Sequence, residues 1–253
     1  MKAYPRPCFT TEMLAETQQL FAAIRNTSRE IAFCIVASGI PGIFNTGGDL
    51  LLFIDCIRRG DRARLTAYAH ACIDAVYGPL TGYGVNAVTI ALVEGSALGG
   101  GLEAAMANDY LLVQKDAKMG LPEVKFNLFP GMGGYSFLAR KVSQQVVEGL
   151  IGNGEVHTGE WMHDQGIANR LFEQGEGVSA AHAFIDELQP KLNSIKAMLY
   201  ARKRVSPVTY QELLDITDEW VRAAFRLSEA DLQYMEHLVS LQGRRMRVAH
   251  PVV

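Results

Sequence analysis

Two short, continuous apolar runs, each followed directly by a glycine-rich loop, constrain the fold of this chain most. The run IAFCIVAS (31–38) leads into the loop FNTGGDL (44–50), and the run NAVTIALVEG (86–95) leads into ALGGGLE (97–103). Uninterrupted apolar runs of this length are typical of strands that are buried on both faces. Helical periodicity fills residues 50–77 between them, interrupted near RRGDR, so the sequence predicts an α/β core of mostly parallel strands.

The rest of the chain adds helices and one more clear strand. Residues 10–26 open with a threonine cap and continue with apolar residues at helical spacing, which predicts a first helix. DYLLVQ (109–114) is predicted to be a third strand, and residues 118–136 a long loop with two prolines and four glycines. The segment after residue 135 is almost entirely helical in pattern, apart from a strand at IANRLF (167–172).

The only predicted boundary lies at SPVTYQ (206–211). It divides the chain into a core of residues 1–206 and a helical C-terminal region of residues 207–253.

Composition excludes several classes of protein. A net charge of -3 argues against a nucleic-acid binder, which would need clustered Lys and Arg. No apolar run approaches the roughly 20 residues that a membrane span needs, and the polar, proline-broken start does not resemble a signal peptide. The cysteines are widely spaced, which is typical of reduced structural thiols and predicts a cytoplasmic location; they are Cys8, Cys34, Cys56 and Cys72.

Several motifs can be discarded. EGSALG resembles a serine nucleophile elbow, but Glu94 stands where the strained turn before Ser96 would need glycine. The chain contains no G-x-x-x-x-G-K-[ST] segment for nucleotide phosphates, and its histidines do not pair at metal-ligand spacing. The sequence therefore predicts neither a metal nor a cofactor.

The two glycine loops and two glutamates form the arrangement that survives. Neighbouring parallel strands would bring both loops to the same sheet edge, where each could donate one backbone N–H to an oxyanion hole. Glu103 falls in the first turn of a short predicted helix, and Glu123 stands between the apolar residues Leu121 and Val124. Burial would raise the pKa of Glu123, and a nearby Glu103 would raise it further. Two such carboxyls can divide the work of an acid and a base.

A structural interpretation of each feature stays open. A glycine triplet also suits a tight strand-to-helix turn with close packing. A glutamate in the position of Glu103 is favoured by the helix dipole alone, and Glu123 could be a solvated loop charge.

Three separated motifs resemble those of the crotonase (enoyl-CoA hydratase/isomerase) superfamily, in the same order. FNTGGDL (44–50) resembles its F-x-x-G-x-D loop, residues 93–113 its G-x-x-x-G-G-G-x-E segment, and residues 119–134 its second-glutamate loop. The resemblance extends through residues 157–172, which are similar to its helix-turn-strand segment. It implies a spiral core of β-β-α units with a helical C-terminal region.

Within the superfamily, PRPCFT (5–10), FNTGGDLLLF (44–53) and residues 120–137 are most similar to the diffusible signal factor synthases. That resemblance implies dehydration of a 3-hydroxyacyl-acyl carrier protein and hydrolysis of the thioester, which yields a cis-2-unsaturated fatty acid for quorum sensing. A hydratase or isomerase acting on acyl-CoA is the nearer alternative, and a non-catalytic binding or regulatory protein the farther one.

The resemblance also assigns the site residues. Gly100 and Gly48 would donate the oxyanion N–H groups, with Gly47 as the second choice for the latter, and Glu103 and Glu123 would be catalytic. Residues expected to contact the acyl chain are Leu98, Gly99, Phe129, Met132, Trp220 and Leu238, with Phe126 and Phe129 bending it. For Trp220 and Leu238, ordinary core packing is the competing interpretation.

Partners follow from the same resemblance. The acyl carrier protein is acidic, so a basic rim would attract it. CIRRGDRAR (56–64) supplies the best cluster, with a solvated helix face as the alternative; its basic residues are Arg58, Arg59, Arg62 and Arg64. The resemblance further implies a homotrimer or a dimer of trimers, and a regulatory sensor kinase as a further partner.

Overall fold

The computed structural model describes Met1 and residues 6–249, with the side chains of residues 242–249 excepted. Residues 2–5 and 250–253, which belong to the predicted core and C-terminal region, lie outside the described residues. The strands are β1 (Phe33–Ala37), β2 (Gly42–Asn45), β3 (Val88–Val93), β4 (Gly95–Leu98), β5 (Tyr110–Gln114), β6 (Lys118–Gly120), β7 (Val156–Thr158) and β8 (Arg170–Phe172).

Helices make up most of the remaining chain. The first six are α1 (Thr11–Asn26), α2 (Leu50–Arg59), α3 (Arg62–Leu80), α4 (Gly100–Met106), α5 (Gly134–Leu138) and α6 (Gln144–Asn153). The last five are α7 (Gly159–Asp164), α8 (Gly177–Leu188), α9 (Leu192–Val205), α10 (Tyr210–Ala224) and α11 (Glu229–Ala249). Short 3-10 helices cover Gly82–Gly84, Pro122–Phe126 and Gln189–Lys191.

The strands form two four-stranded sheets, ordered β1-β3-β5-β8 and β2-β4-β6-β7. The first sheet is parallel throughout, and in the second only the β6–β7 pair is antiparallel. Each of the first three pairs of consecutive strands sends one strand to each sheet before the chain turns into helix. This repeated path is the spiral of β-β-α units that the family resemblance implies, and the α/β fold class is confirmed.

The central strand β3 behaves as predicted, whereas β1 does not. All six residues of β3 are buried, and it pairs in parallel with β1 on one side and β5 on the other. β1 lies at the edge of the first sheet and is only half-buried, with Ile35 38% exposed. The prediction that this run is buried on both faces is wrong, because each face of an edge strand is only partly covered.

The second sheet is the part of the fold that the sequence pattern does not reveal. Its strands are only three or four residues long. β2 and β6 fall in segments predicted as loops, β4 begins at the end of a predicted strand, and β7 falls in a segment predicted to be helical. Close backbone approach explains the glycines: a Cβ at Gly95 would lie 2.1 Å from the carbonyl carbon of Gly42, and one at Gly120 would lie 2.4 Å from the Glu155 oxygen.

Side-chain caps and a left-handed glycine set the ends of the first helices. The Thr10 hydroxyl accepts the Met13 N–H at 3.2 Å and begins α1, as the sequence predicts. The Asp49 carboxylate accepts the N–H groups of Leu51 and Leu52 and begins α2. α2 ends at Gly60 in the left-handed region (φ 68°), which is the predicted interruption before α3.

The last two helices pack on the core of the rest of the chain. Trp220 of α10 and Met235 of α11 are buried in the same apolar cluster as Phe44 and Leu102. The division of the chain at residue 206 stays a prediction. Across the described helices, none combines the length and apolar character that crossing a bilayer requires.

Candidate active site

The two glycine loops meet, because β2 and β4, which lead into them, are parallel neighbours in the second sheet. A Cβ placed on Gly47 would lie 2.9 Å from the Gly100 nitrogen, and one on Gly100 would lie 3.5 Å from the Gly48 nitrogen. The predicted oxyanion glycines therefore lie side by side at the N-terminus of α4.

Hydrogen bonding distinguishes Gly48 from Gly47. The Gly47 N–H donates to Asn45 Oδ1 at 2.7 Å, so it is already used within the loop. Gly100 is the first residue of α4, and the N–H of a first helical residue has no acceptor in its own helix. The geometry thus favours the N–H groups of Gly48 and Gly100 as the pair that a substrate oxygen would meet.

The glycines are required by close contacts as well. A Cβ on Gly100 would lie 2.5 Å from Met132 Sδ, one on Gly101 would lie 2.1 Å from the Asn45 carbonyl oxygen, and one on Gly48 would lie 2.4 Å from the ring of Phe53. A side chain at Gly101 would push the two glycine loops apart, whereas one at Gly100 or Gly48 would displace the side chain of Met132 or of Phe53.

A clamp from the N-terminal segment holds the first glycine loop. Both guanidinium NH2 groups of Arg6 contact the two oxygens of Asp49, and the Asp49 N–H donates to Tyr68 Oη at 3.0 Å. The Tyr68 hydroxyl donates in turn to the Phe9 carbonyl, and the Phe9 N–H donates to the Gly47 carbonyl at 2.8 Å. Sequence reasoning missed this clamp, although Arg6 stands within the PRPCFT segment that carries the resemblance.

Glu103 lies in the first turn of α4 and is 1% exposed. Its Oε1 accepts the N–H groups of Met132 and Gly134, both at 2.7 Å. Burial raises the pKa of Glu103 to about 7, although the two N–H donors oppose that rise by favouring the anion. These two hydrogen bonds thus fasten the loop that follows Glu123 to the side chain of Glu103.

Glu123 lies in the 3-10 helix Pro122–Phe126 and is buried as well, with 8% of its surface exposed. A Cβ on Gly99 would lie 2.6 Å from its Oε1. Its Oε2 is buried without a hydrogen bond among the residues that the structure describes. Burial, and then the charge of Glu103, raise the pKa of Glu123 well above its ordinary value. Together the two carboxyls favour retention of a proton near neutral pH.

A cavity of about 620 Å³ opens beside these groups. Both glutamates and the glycines at 47, 48, 99 and 100 line it. The predicted substrate contacts that also line it are Leu98, Met132, Trp220 and Leu238. Phe129 does not line the cavity, although the sequence predicts that it contacts the acyl chain. It follows the left-handed turn at Asn127 (φ 61°), is half-buried and packs against the main core. Phe126, which precedes that turn, does line the cavity.

Sequence reasoning missed several cavity residues because they lie far away in the chain. They are Phe53 of α2, Tyr68 and Cys72 of α3, and Tyr234 and Leu241 of α11. Phe53 and Trp220 meet edge-to-face, with ring centroids 4.9 Å apart. Burial raises the pKa of Cys72 to about 12, which leaves its thiol protonated and a poor nucleophile. Among the described side chains, no group of three or more His, Cys, Asp or Glu residues could hold a metal ion.

The predicted basic rim is already occupied by contacts within the chain. Arg58 pairs with Glu229 and Glu236, Arg59 and Arg64 pair with Asp55, and the Arg62 guanidinium lies 4.6 Å from the ring centroid of Phe225. This arrangement fits the alternative of a solvated, salt-bridged helix face better than a docking rim.

The spiral of β-β-α units places paired N–H donors and two buried carboxyls beside an apolar cavity. Such a site can transfer protons and stabilise an oxyanion on a bound substrate. A comparison with known protein families agrees with this description of the site. Residues 5–219 match the family model described as enoyl-CoA hydratase/isomerase. The chain therefore belongs to the enoyl-CoA hydratase/isomerase family, within the crotonase superfamily.

Curated relatives include mitochondrial hydratases. The human mitochondrial methylglutaconyl-CoA hydratase is 29% identical over 185 residues, which cover 72% of this chain and 51% of the human protein. This chain thus spans about half the length of that relative. A probable mitochondrial enoyl-CoA hydratase 2 of Arabidopsis thaliana is 28% identical over 226 residues, which cover 82% of this chain and 70% of the plant protein.

Solved structures share the fold. Pseudomonas aeruginosa DspI superposes with a TM-score of 0.70 and 25% identity, covering 87% of this chain and 88% of DspI. An enoyl-CoA hydratase from Bacillus halodurans superposes with a TM-score of 0.73 at 20% identity, over 90% of this chain and 89% of that one. At that identity the second similarity concerns the fold alone.

Proposed function

We propose that this protein dehydrates a 3-hydroxyacyl thioester held by acyl carrier protein and then hydrolyses the thioester, releasing a cis-2-unsaturated fatty acid signal. One observation carries the proposal. Two buried carboxyls with raised pKa values, Glu103 and Glu123, flank the N–H pair of Gly48 and Gly100 in one apolar cavity. Proton transfer next to a thioester carbonyl needs this combination.

In the dehydration step, one carboxylate removes the C2 proton and negative charge develops on the thioester oxygen. The N–H groups of Gly48 and Gly100 stabilise that oxygen, a contribution of about 3 kcal/mol for one such donor. The C3–O bond then breaks, and the hydroxyl leaves as water with a proton from the other carboxyl. Glu103 and Glu123 share these two roles as a coupled pair.

In the hydrolysis step, a carboxylate of the same pair removes a proton from a water molecule that attacks the thioester carbonyl. The tetrahedral oxyanion occupies the place of the enolate oxygen, facing Gly48 and Gly100. Collapse breaks the C–S bond, and the carrier thiol leaves with a proton. A protein nucleophile is not needed, which fits the protonated state of the buried Cys72 thiol.

The cavity supports a long acyl chain as substrate. Its volume of about 620 Å³ falls within the range of small-molecule sites, roughly 300–1,000 Å³. Leu238 and Leu241 of α11 add to its apolar lining, and Phe126 takes the role of bending the chain at the new double bond. Retention of the bent enoyl chain after dehydration gives water time to reach the thioester.

Positive charge for the acidic carrier protein comes from different residues than the sequence suggests. Lys118 and Lys125 are exposed and line the cavity, whereas the arginines of 58–64 are engaged within the chain. We assign the carrier's docking to these two lysines.

A second candidate is hydration or isomerisation of an acyl-CoA. This candidate is favoured because similar proteins are named as hydratases of CoA thioesters, among them methylglutaconyl-CoA hydratase. The same glutamates and N–H pair would serve that reaction. The two candidates differ in whether the thioester bond breaks.

Expression of the chain alone in a bacterium tests the proposal. The culture medium is extracted, and free unsaturated fatty acids are measured by mass spectrometry. We expect a cis-2-unsaturated acid with the wild-type chain and none with Glu123→Gln, whose amide can neither release nor take up the proton. Equal amounts of acid from both strains would contradict the proposal.

A further inference from the structure

A second cavity, of about 220 Å³, lies at the C-terminal end of α4. It shares no lining residue with the cavity at the glutamates, which adjoins the N-terminal end of the same helix. Apolar residues such as Leu80, Met106 and Phe137 form one part of its wall. Four basic side chains form the other, namely Arg140, Lys141, Arg202 and Lys203.

The acidic residue within this wall has no remaining capacity for a further cation. Asp109 is 3% exposed, and its Oδ1 takes Arg202 Nη2 at 3.0 Å and Lys203 Nζ at 2.9 Å. Its Oδ2 accepts the backbone N–H and the hydroxyl of Thr89, at 3.1 and 3.2 Å. Each carboxylate oxygen thus already has two partners.

Arg140 is committed elsewhere too. Its guanidinium forms two parallel bonds to the Glu212 carboxylate, at 2.9 and 2.7 Å, and its Nε donates to the Pro207 carbonyl at 3.0 Å. This fork geometry neutralises Arg140.

Lys141 forms no direct ion pair with the described side chains. It is partly buried, and among the described side chains no carboxylate lies within ion-pair distance of its ammonium group. Burial, and then repulsion by Arg202, lower its pKa to about 8, against a smaller attraction by Asp109 that raises the pKa. Four cations therefore face two carboxylates, Asp109 and Glu212, which leaves the cavity with a net positive charge.

We infer that this cavity is a binding site for a small phosphate-type oxyanion, held by Lys141 and Arg202. Arg202 uses one of its nitrogens on Asp109, and a guanidinium has further N–H donors for a second acceptor. Ser206, another lining residue, carries a hydroxyl that can donate to an oxyanion. The anion would supply the charge that the protein's own carboxylates do not, and it could be free phosphate or the phosphate group of a larger molecule.

The test is a titration of the whole protein with inorganic phosphate at constant ionic strength, balanced with chloride. Calorimetry gives the affinity and thermal unfolding gives the shift in Tm. We expect saturable binding in the wild type and a loss of affinity of about tenfold or more in Lys141→Met. Lys191→Met removes the same charge from an exposed site outside the cavity and should bind as the wild type does.

A charge-conserving variant, a change of pH and a second ligand test the role of the Lys141 charge further. Lys141→Arg should keep phosphate binding, and raising the pH from 7 to 9 should weaken binding to the wild type as Lys141 loses its proton. A titration with coenzyme A in place of phosphate shows where the bound phosphate group comes from. If both compounds bind in a way that depends on Lys141, the ligand is a larger molecule that carries a phosphate group. If only inorganic phosphate does, the ligand is a free anion. Phosphate that acts no differently from chloride, or an equal loss in Lys141→Met and Lys191→Met, overturns the inference.

Discussion

The Glu103 carboxyl combines 1% exposure with two backbone N–H donors on one oxygen, and both features matter for stability. Its pKa rises from an ordinary 4.5 to about 7, so ionising it inside the protein opposes folding. Stability is therefore lost as the pH rises from about 4.5 through about 7, and an amide at this position escapes that loss.

Glu103→Gln should separate function from stability. The amide oxygen can still accept the N–H groups of Met132 and Gly134, so the fold should persist while turnover falls by about 10² or more. At pH 8 the variant should be more stable than the wild type, by on the order of 3 kcal/mol, and near pH 4.5 the two should be similar. Denaturant unfolding at both pH values checks this; a stability difference that does not change with pH would count against a buried, ionisable Glu103.

Gly100→Ala tests the closeness of the two glycine loops. The added Cβ would lie 2.5 Å from Met132 Sδ and 3.3 Å from the Cα of Gly47, so Met132 must move and the first glycine loop must give way, which disturbs the alignment of the N–H pair. A displacement of about 1 Å can cost about 10² in rate, and we expect a fall in kcat of that order. Gly149→Ala in α6 is the matched control, because its Cβ meets nothing within 4 Å. Equal activity of the two variants would argue against Gly100 as an oxyanion donor.

At the scale of elements, the sequence predicts the long helices and the first sheet well, because each carries its own periodicity or an uninterrupted apolar run. α1, α2, α3, β3 and β5 lie where the patterns place them. The second sheet has strands of three or four residues, too short for a period to emerge. Its glycines at 42, 95 and 120 also resemble turn residues until their close backbone contacts are seen.

Arg6→Met should loosen the first glycine loop without unfolding the chain. Asp49 would still accept the N–H groups of Leu51 and Leu52 and cap α2, but its ion pair with the N-terminal segment would be lost. We expect kcat to fall about tenfold with little change in KM, since the loop's N–H contributes mainly in the transition state. Arg25→Met, in α1 and outside the clamp, should have wild-type kcat; a change in KM alone for Arg6→Met would rule out a positioning role.

At the scale of the molecule, the motifs predicted the glycine loops and the two glutamates together, since their residues stand within three short segments. The far wall of the cavity was harder to predict. Trp220 and Leu238 are expected there as apolar residues of the late helices, with core packing as the alternative, whereas no motif marks Tyr234 and Leu241. Phe129 was assigned to the cavity wrongly, because the turn at Asn127 carries it away.

The chain should assemble into trimers. Four large apolar side chains on α8 and α9 are strongly exposed in the single chain, namely Val178 (64%), Met198 (56%), Tyr200 (74%) and Val205 (86%). The expectation of trimers comes from the resemblance to the family, and these side chains are the candidates for the contact between chains. Light scattering should give the mass of three chains or of six, and Tyr200→Glu should reduce it. A strict monomer across micromolar concentrations would contradict this expectation.

The proposed site both dehydrates its substrate and cuts the thioester, and one assay follows both steps. Purified protein is given 3-hydroxydodecanoyl-acyl carrier protein, and free thiol and fatty acid are followed together, with Glu123→Gln as the inactive control. We expect thiol and a cis-2-unsaturated acid to appear in equal amounts, since each C–S bond broken releases one of each. Accumulation of the enoyl thioester with no free thiol would contradict it and leave a hydratase in its place.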